Sequence, residues 1–304
     1  MPAPTLIVIT GPTGIGKSAV AVELARRLGT EIISADSRQI YRGLPITTAA
    51  PTPEQLAAVR HHLAGTLDLD QYYSAALFGE ESLRILSDIF TRSPYAILCG
   101  GSMMYIDSVC YGIDELPDIS ERVREQVKQI YAHEGLEGVM ERLRKLDPEY
   151  AATVDANNTR RVMHALEICE ESGRTCTELR TGRKRERPFR ILKFALTAPR
   201  EVIFERINRR TDLMVAQGML AEVESVAHLR HLNSLNTVGV KELLRVIDGE
   251  WTLSFATERL KKNTRVYAKK QLNWIARDGG YRMIDITQQE PVEEILSAIA
   301  ERSE

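Results

Sequence analysis

The apolar positions of this chain repeat with two different periods, and the change between them divides it. Residues 5–10 (TLIVIT) are apolar and β-branched, as in a strand covered on both faces of a parallel sheet. A glycine-rich turn over 11–18 leads into residues 17–28, where Val20, Leu24 and Leu28 recur at helical spacing until Gly29 stops them. Residues 31–35 (EIISA) predict a second short strand, with Asp36 just past its carboxyl end. Helices are predicted over 51–60, with proline near the start, and over 73–90, begun by Ser74. Residues 95–99 (YAILC) predict a third strand, closed by Gly100 and Gly101. This alternation of strand and helix predicts an α/β fold with a parallel sheet.

Beyond Pro117 the helical period takes over. Residues 120–173 offer no convincing strand; Val123, Val127 and Ile130 form one apolar stripe, and Val162, Leu166 and Cys169 part of another. A strand-like run returns at 189–197 (FRILKFALT), charged helices continue to about Arg277, and 281–286 is a last possible strand. The pattern predicts a parallel-sheet core in two parts, 1–116 and 189–304, interrupted by a mostly helical insertion domain at 117–188.

Composition adds limits. The 304 residues are 43% hydrophobic and 27% charged, with mean hydropathy −0.22, which is enough apolar material for a sizeable core in a soluble protein. No run approaches the roughly 18 continuous apolar residues of a membrane span, and the first apolar run leads into a glycine-rich turn, so it reads as a strand and not as a signal peptide. The net charge of −2 means that a polyanionic partner must be met by a local basic patch. Cys99, Cys110, Cys169 and Cys176 form no C-x2-C pair, which argues against zinc, and free thiols fit a cytoplasmic protein.

The sharpest chemical signal is Gly11-Pro12-Thr13-Gly14-Ile15-Gly16-Lys17-Ser18, which matches G-x4-G-K-[ST] between a strand and a helix. Glycines let the backbone curl so that several N–H groups converge on an anion, and the helix terminus adds its positive dipole end. Lys17 supplies a mobile charge and the Ser18 hydroxyl a ligand for Mg²⁺. Such a P-loop specifies a phosphate or diphosphate; it leaves open whether a nucleoside triphosphate such as ATP binds. Of the acids that follow apolar runs, Asp88 and Asp248 lie in helical patterns, so Asp36 is the one predicted to face the loop, across the ends of adjacent strands. Ser37, Arg38 and Gln39 come directly after it.

Asp36 to Gly43 (DSRQIYRG), taken with the P-loop, resembles the tRNA dimethylallyltransferases, whose second strand is followed by D-S-x-Q-x-Y-x-G. Further matches come in order: Gly100 to Tyr105 (GGSMMY), Asn158 to Glu167 (NTRRVMHALE), and Thr264 to Gln271 (TRVYAKKQ) followed by Trp274. The resemblance runs from about residue 7 to 277. The sequence departs from the family at 47–50 (Thr-Thr-Ala-Ala for Gly-Thr-Ala-Lys), at Val240 where tyrosine is common, at His164 where arginine is common, and at Ser18 for the commoner threonine.

The resemblance implies a P-loop core with a tRNA-gripping insertion. The implied activity is transfer of a dimethylallyl group from dimethylallyl diphosphate to N6 of adenine 37, next to the anticodon of tRNA, by a monomer. Asp36 is then the general base, and Thr13, Lys17 and Arg210 of the R-I-x-x-R stretch serve the diphosphate with Mg²⁺. Ser37, Arg38 and Gln39 are placed to meet the flipped adenine, and Ser102 matches a further tRNA contact. In the insertion, Arg124, Arg160 and Arg161 fall at matching positions, with Val162, Met163 and His164 beside them. Residues 256–277 carry seven basic side chains against Glu258 alone, and 174–190 carry seven against Glu178 and Glu186. Both read as phosphate-contacting patches, with Arg265 and Lys269 on the first. Leu260, Tyr267 and Trp274, seven residues apart, are predicted to pack inward. Three other readings share parts of this pattern: a P-loop kinase, an adenylate-type prenyltransferase using free AMP, and a non-catalytic RNA-binding module.

Overall fold

The computed structural model describes residues 4–301. Six strands form one parallel sheet: β1 (Thr5–Thr10), β2 (Ile32–Ala35), β3 (His61–His62), β4 (Tyr95–Gly100), β5 (Arg190–Thr197) and β6 (Arg282–Asp285), in the order β3-β2-β4-β1-β5-β6. β1, the apolar run met first, is buried at every residue. The two-residue β3 has no apolar run to announce it and exists only through its pairing with β2.

The chain divides into two compact units, one made of residues up to 110 and from 186 onward, the other of Tyr111–Arg185. The insertion expected at 117–188 therefore begins six residues earlier. Its entering and leaving strands of chain belong together: Arg185 N–H donates to the Tyr111 carbonyl at 2.7 Å, and Asp114 accepts from Thr181 Oγ1 at 2.7 Å and from Gly182 N–H. These polar, proline-containing segments carry no period that could mark the boundary in the sequence.

In the first unit, α1 (Lys17–Leu28), α2 (Pro53–Ala58), α3 (Ala75–Ile89) and α4 (Met103–Cys110) alternate with the strands. α1 buries Ala21, Leu24 and Ala25 against the sheet and ends where Gly29, left-handed at φ +60°, donates its N–H to the Ala25 carbonyl. The second unit consists of α5 (Glu121–Leu146), α6 (Pro148–Thr153), α7 (Thr159–Ser172) and α8 (Cys176–Leu179). α5 is broken at Gly135, whose φ of +67° no other residue type adopts without strain. Val123, Val127, Leu143, Val162, Leu166 and Cys176 form this unit's own core. Asp147 is buried there and accepts from Tyr150 N–H and from Thr177 N–H and Oγ1. Burial opposes its charge, but these donors hold the carboxyl below the usual range.

The chain then returns to the first unit through β5, α9 (Arg200–Ala216), α10 (Met219–Val226), α11 (Val240–Ile247), α12 (Leu253–Asp278), β6 and α13 (Pro291–Ala300). α12 turns Ala256, Leu260, Ala268, Gln271 and Ile275 inward. The seven-residue stripe predicted for it fails at Tyr267, which is 37% exposed. Its ring is partly open, while its hydroxyl turns inward and donates to the Gly101 carbonyl at 3.4 Å. Among the described residues no helix is long and apolar enough to cross a membrane.

Candidate active site

The carboxyl ends of β1, β2 and β4 meet in a crevice, the usual ligand position of an open parallel sheet. β1 feeds the loop 11–16, and Gly16, at φ +106°, turns the chain into α1 with Lys17 as first helical residue. Lys17 Nζ donates to the carbonyls of Gly11 and Pro12, each at 3.0 Å. Two arginines of α9 reach across to the same loop. Arg210 Nη2 donates to Thr13 Oγ1 at 2.7 Å, and Arg206 Nε to the Gly14 carbonyl at 3.2 Å. Thr13 is thus held by Arg210, and no hydrogen bond joins it to Asp36.

Asp36 stands just past β2. It does not face the loop across adjacent strands, because β4 runs between β1 and β2. Its Oδ1 accepts from Arg38 N–H at 2.9 Å and Gln39 N–H at 3.3 Å, an Asx-type turn that fixes the carboxylate. β4 permits this proximity by ending in Gly100, with Gly101 directly after it. A Cβ on Gly100 would lie 2.1 Å from the Ala35 carbonyl oxygen, and one on Gly101 2.2 Å from Gln271 Nε2.

The loop, Asp36 and Arg210 line one cavity of about 290 Å³, together with Cys99, Gln39, Thr48, Ala49, Gln55 and His61. Burial pushes the Lys17 ammonium down to about 8; Cys99 and Asp36 act against this and Arg210 adds to it. Burial likewise lowers Arg210, with Asp36 opposing. The Cys99 thiol is pushed up to about 12 by burial, so it lines the cavity as a neutral group. Among the described residues no cluster of three His, Cys, Asp or Glu side chains gathers for a metal. Among the oxygen donors lining the cavity is the Ser18 hydroxyl, next to Lys17. A hydroxyl suits Mg²⁺, a hard cation that keeps waters and takes further ligands from a substrate phosphate.

Residues 39–278 match the IPP transferase family. The chain belongs to that family. It is 52% identical to tRNA dimethylallyltransferase 1 of Bacteroides thetaiotaomicron over 96% of this chain and 95% of the relative. Among solved structures, it resembles the full-length tRNA isopentenylpyrophosphate transferase of Bacillus halodurans, with TM-score 0.72 and 35% identity over 98% of this chain and 96% of that one. It also resembles a eukaryotic dimethylallyltransferase whose crystallographic snapshots show it acting on tRNA, with TM-score 0.77 and 26% identity over 93% of this chain and 74% of that one. The IPP transferase match begins at residue 39 and so excludes the P-loop and Asp36, which rest on their own geometry.

Several residues expected to meet the RNA are otherwise engaged in this IPP transferase. Gln39 donates to the carbonyls of Thr48 and Ala49 and accepts from Ser34 Oγ, so its amide holds the 44–50 loop. Arg38 Nη1 donates to the carbonyls of Asn233 and Ser234. Ser102 is buried; its Oγ accepts from Ser37 N–H at 2.8 Å and pairs with Ser37 Oγ at 3.2 Å. These bonds give the side chains beside Asp36 a part in shaping the loop. Arg265 donates to Asn208 Oδ1 at 2.6 Å, while Lys269 is exposed with its ammonium over the Phe204 ring. Within the second unit, Arg124, Arg160 and Arg161 are exposed with no ion-pair partner among the described residues. Val162 is fully buried, because position 162 falls on the core side of α7. Met163 packs partly on the same core, and His164 pairs with Glu167 at 3.2 Å.

Gln271 and Arg206 also reach the site, from inside TRVYAKKQ and R-I-x-x-R, although residue type alone does not mark them. Tyr105 and Tyr267 lie near Asp36 as well. Both phenols are raised by burial and then by neighbouring charges including Asp36, Tyr267 to about 12.

Proposed function

We propose that this enzyme transfers a dimethylallyl group from dimethylallyl diphosphate to N6 of adenine 37, beside the anticodon of tRNA. The observation that carries the reading is one cavity holding a phosphate-binding loop, Lys17, Arg210 and the single carboxylate Asp36. An exocyclic adenine amine is a weak nucleophile because its lone pair is delocalised into the ring. Asp36 accepts the N6 proton as the N–C bond forms. The C–O bond breaks with its electron pair leaving on the diphosphate. The loop N–H groups, Lys17 and Arg210 stabilise the charge that grows there. Ser18 would hold Mg²⁺, which supplies further Lewis-acid stabilisation of the leaving group.

The base must leave its stack to reach a cavity of this kind, and splayed loop bases are the common targets of RNA-modifying enzymes. The Tyr111–Arg185 unit offers Arg124, Arg160 and Arg161 to the phosphates of the anticodon stem-loop. Changing Arg160 and Arg161 together to alanine should weaken tRNA binding and reduce the slope of log affinity against log salt by about 1–2. Pyrophosphate affinity should stay unchanged; filter binding and titration calorimetry check the two.

The reading is tested by incubating the protein with Mg²⁺, dimethylallyl diphosphate and an unmodified tRNA carrying adenosines at positions 36 and 37. Digestion and mass spectrometry should place the prenyl mass on position 37. Unmodified RNA, with ATP consumed on a small acceptor, would move the chain to the P-loop kinases.

A further inference from the structure

We propose that Gln271 is a positioning residue that ties the diphosphate loop to the loop carrying the base, so that donor and proton acceptor are held in one register. The inference rests on the prenyl-transfer reading for its catalytic half only. Gln271 is 3% exposed on the inner face of α12. Its Oε1 accepts from Thr13 N–H at 2.8 Å, and its Nε2 donates to the Gly101 carbonyl at 2.9 Å. The amide can sit only this way round, because a backbone N–H only donates and a carbonyl only accepts. Gly101 has room for no side chain against it.

Each end of this amide continues into the chemistry. On the Thr13 side, the same residue accepts from Arg210 through Oγ1. With its N–H turned to Gln271, Thr13 leaves the anion cradle to the amides that follow it. On the Gly101 side, the next residue is Ser102, whose Oγ accepts from Ser37 N–H and whose own N–H donates to the Ala35 carbonyl. Ala35 and Ser37 flank Asp36. A side chain contributed by a helix 258 residues away from Thr13 in sequence therefore fixes both halves of the reaction.

Three proteins decide the matter: wild type, Gln271→Leu and Gln271→Glu, each checked for folding by thermal melting. In Gln271→Leu, calorimetric affinity for inorganic pyrophosphate should fall about tenfold, the worth of one lost hydrogen bond to the loop. Single-turnover prenyl transfer should fall about 100-fold with little change in apparent KM for tRNA, since misplacement by about an ångström costs that much. Gln271→Glu distinguishes positioning from mere packing. A protonated glutamic acid offers the same acceptor and donor as the amide, whereas the carboxylate confronts the Gly101 carbonyl with a second acceptor. Its rate relative to wild type should rise about tenfold or more from pH 8.5 to pH 5.5. A folded Gln271→Leu with wild-type pyrophosphate affinity and rate overturns the proposal, as does a Gln271→Glu profile parallel to wild type. If Gln271→Leu does not fold, the Gln271→Glu profile decides. If wild type transfers no prenyl group, the prenyl-transfer reading fails and pyrophosphate affinity, with its pH dependence in Gln271→Glu, still decides the loop-holding half.

Discussion

Asp36→Asn should slow prenyl transfer by about 10²–10⁴-fold, the range a positioned general base contributes. The substitution is close to silent structurally. Asparagine keeps the oxygen that accepts from Arg38 N–H and Gln39 N–H, so the turn after β2 survives. What disappears is an acceptor for the N6 proton. The loss therefore falls on kcat, measured in a single turnover with saturating donor, while KM for tRNA moves little. Diphosphate affinity should be retained or tightened, because a negative charge leaves the cavity shared with the leaving group. A variant that transfers at the wild-type rate would remove Asp36 from the mechanism. One that loses donor binding as well would make the carboxylate a structural member of the loop.

The legible part of this protein is the part in which neighbours in sequence are neighbours in space. β1, the loop and α1 form one continuous stretch, so the apolar run, the glycines and Lys17 all appear at fixed offsets and the structure has little freedom to rearrange them. Asp36 is legible for the related reason that strand ends in a parallel sheet converge. The order of the strands was not, because no local pattern records that β4 inserts between β1 and β2. The rest of the site comes from far along the chain. Arg206 and Arg210 arrive on α9 and Gln271 on α12, each a polar residue in a charged helix whose other inward positions are mostly apolar, so nothing local marks them as facing the loop. Gln39 and Ser102 carry bonds that the sequence does not announce. Their residue types and position beside Asp36 suit contact with a base, and their hydrogen bonds close a tight loop over β2. In the second unit, helical period correctly marks Val162 as apolar-face, and the structure buries it in that unit's core.

Lys17→Met should lower kcat/KM for the donor by about 10²–10³-fold, since it deletes the charge aimed at the departing diphosphate. The pH dependence of the wild type makes the effect diagnostic. Burial brings the Lys17 ammonium down to about 8 from its ordinary 10.5. The protonated form binds the anion, so affinity for an unreactive diphosphate ester should be full below about pH 7 and fall as pH rises through 8 and beyond. The ester loses its own last proton near pH 6, as phosphate monoesters do, so its slope lies around that pH and it adds none near pH 8. Binding should also take up protons near pH 8.5, read as a buffer-dependent enthalpy in calorimetry, because the bound anion restores the ammonium. Folding responds with the opposite sign. Between about 8 and 10.5 the unfolded chain binds more protons at this lysine than the folded one, so stability attributable to Lys17 rises with pH across that window. In Lys17→Met both slopes should vanish together. Retention of the proton uptake in the variant would assign it to another group and detach Lys17 from the leaving group's charge.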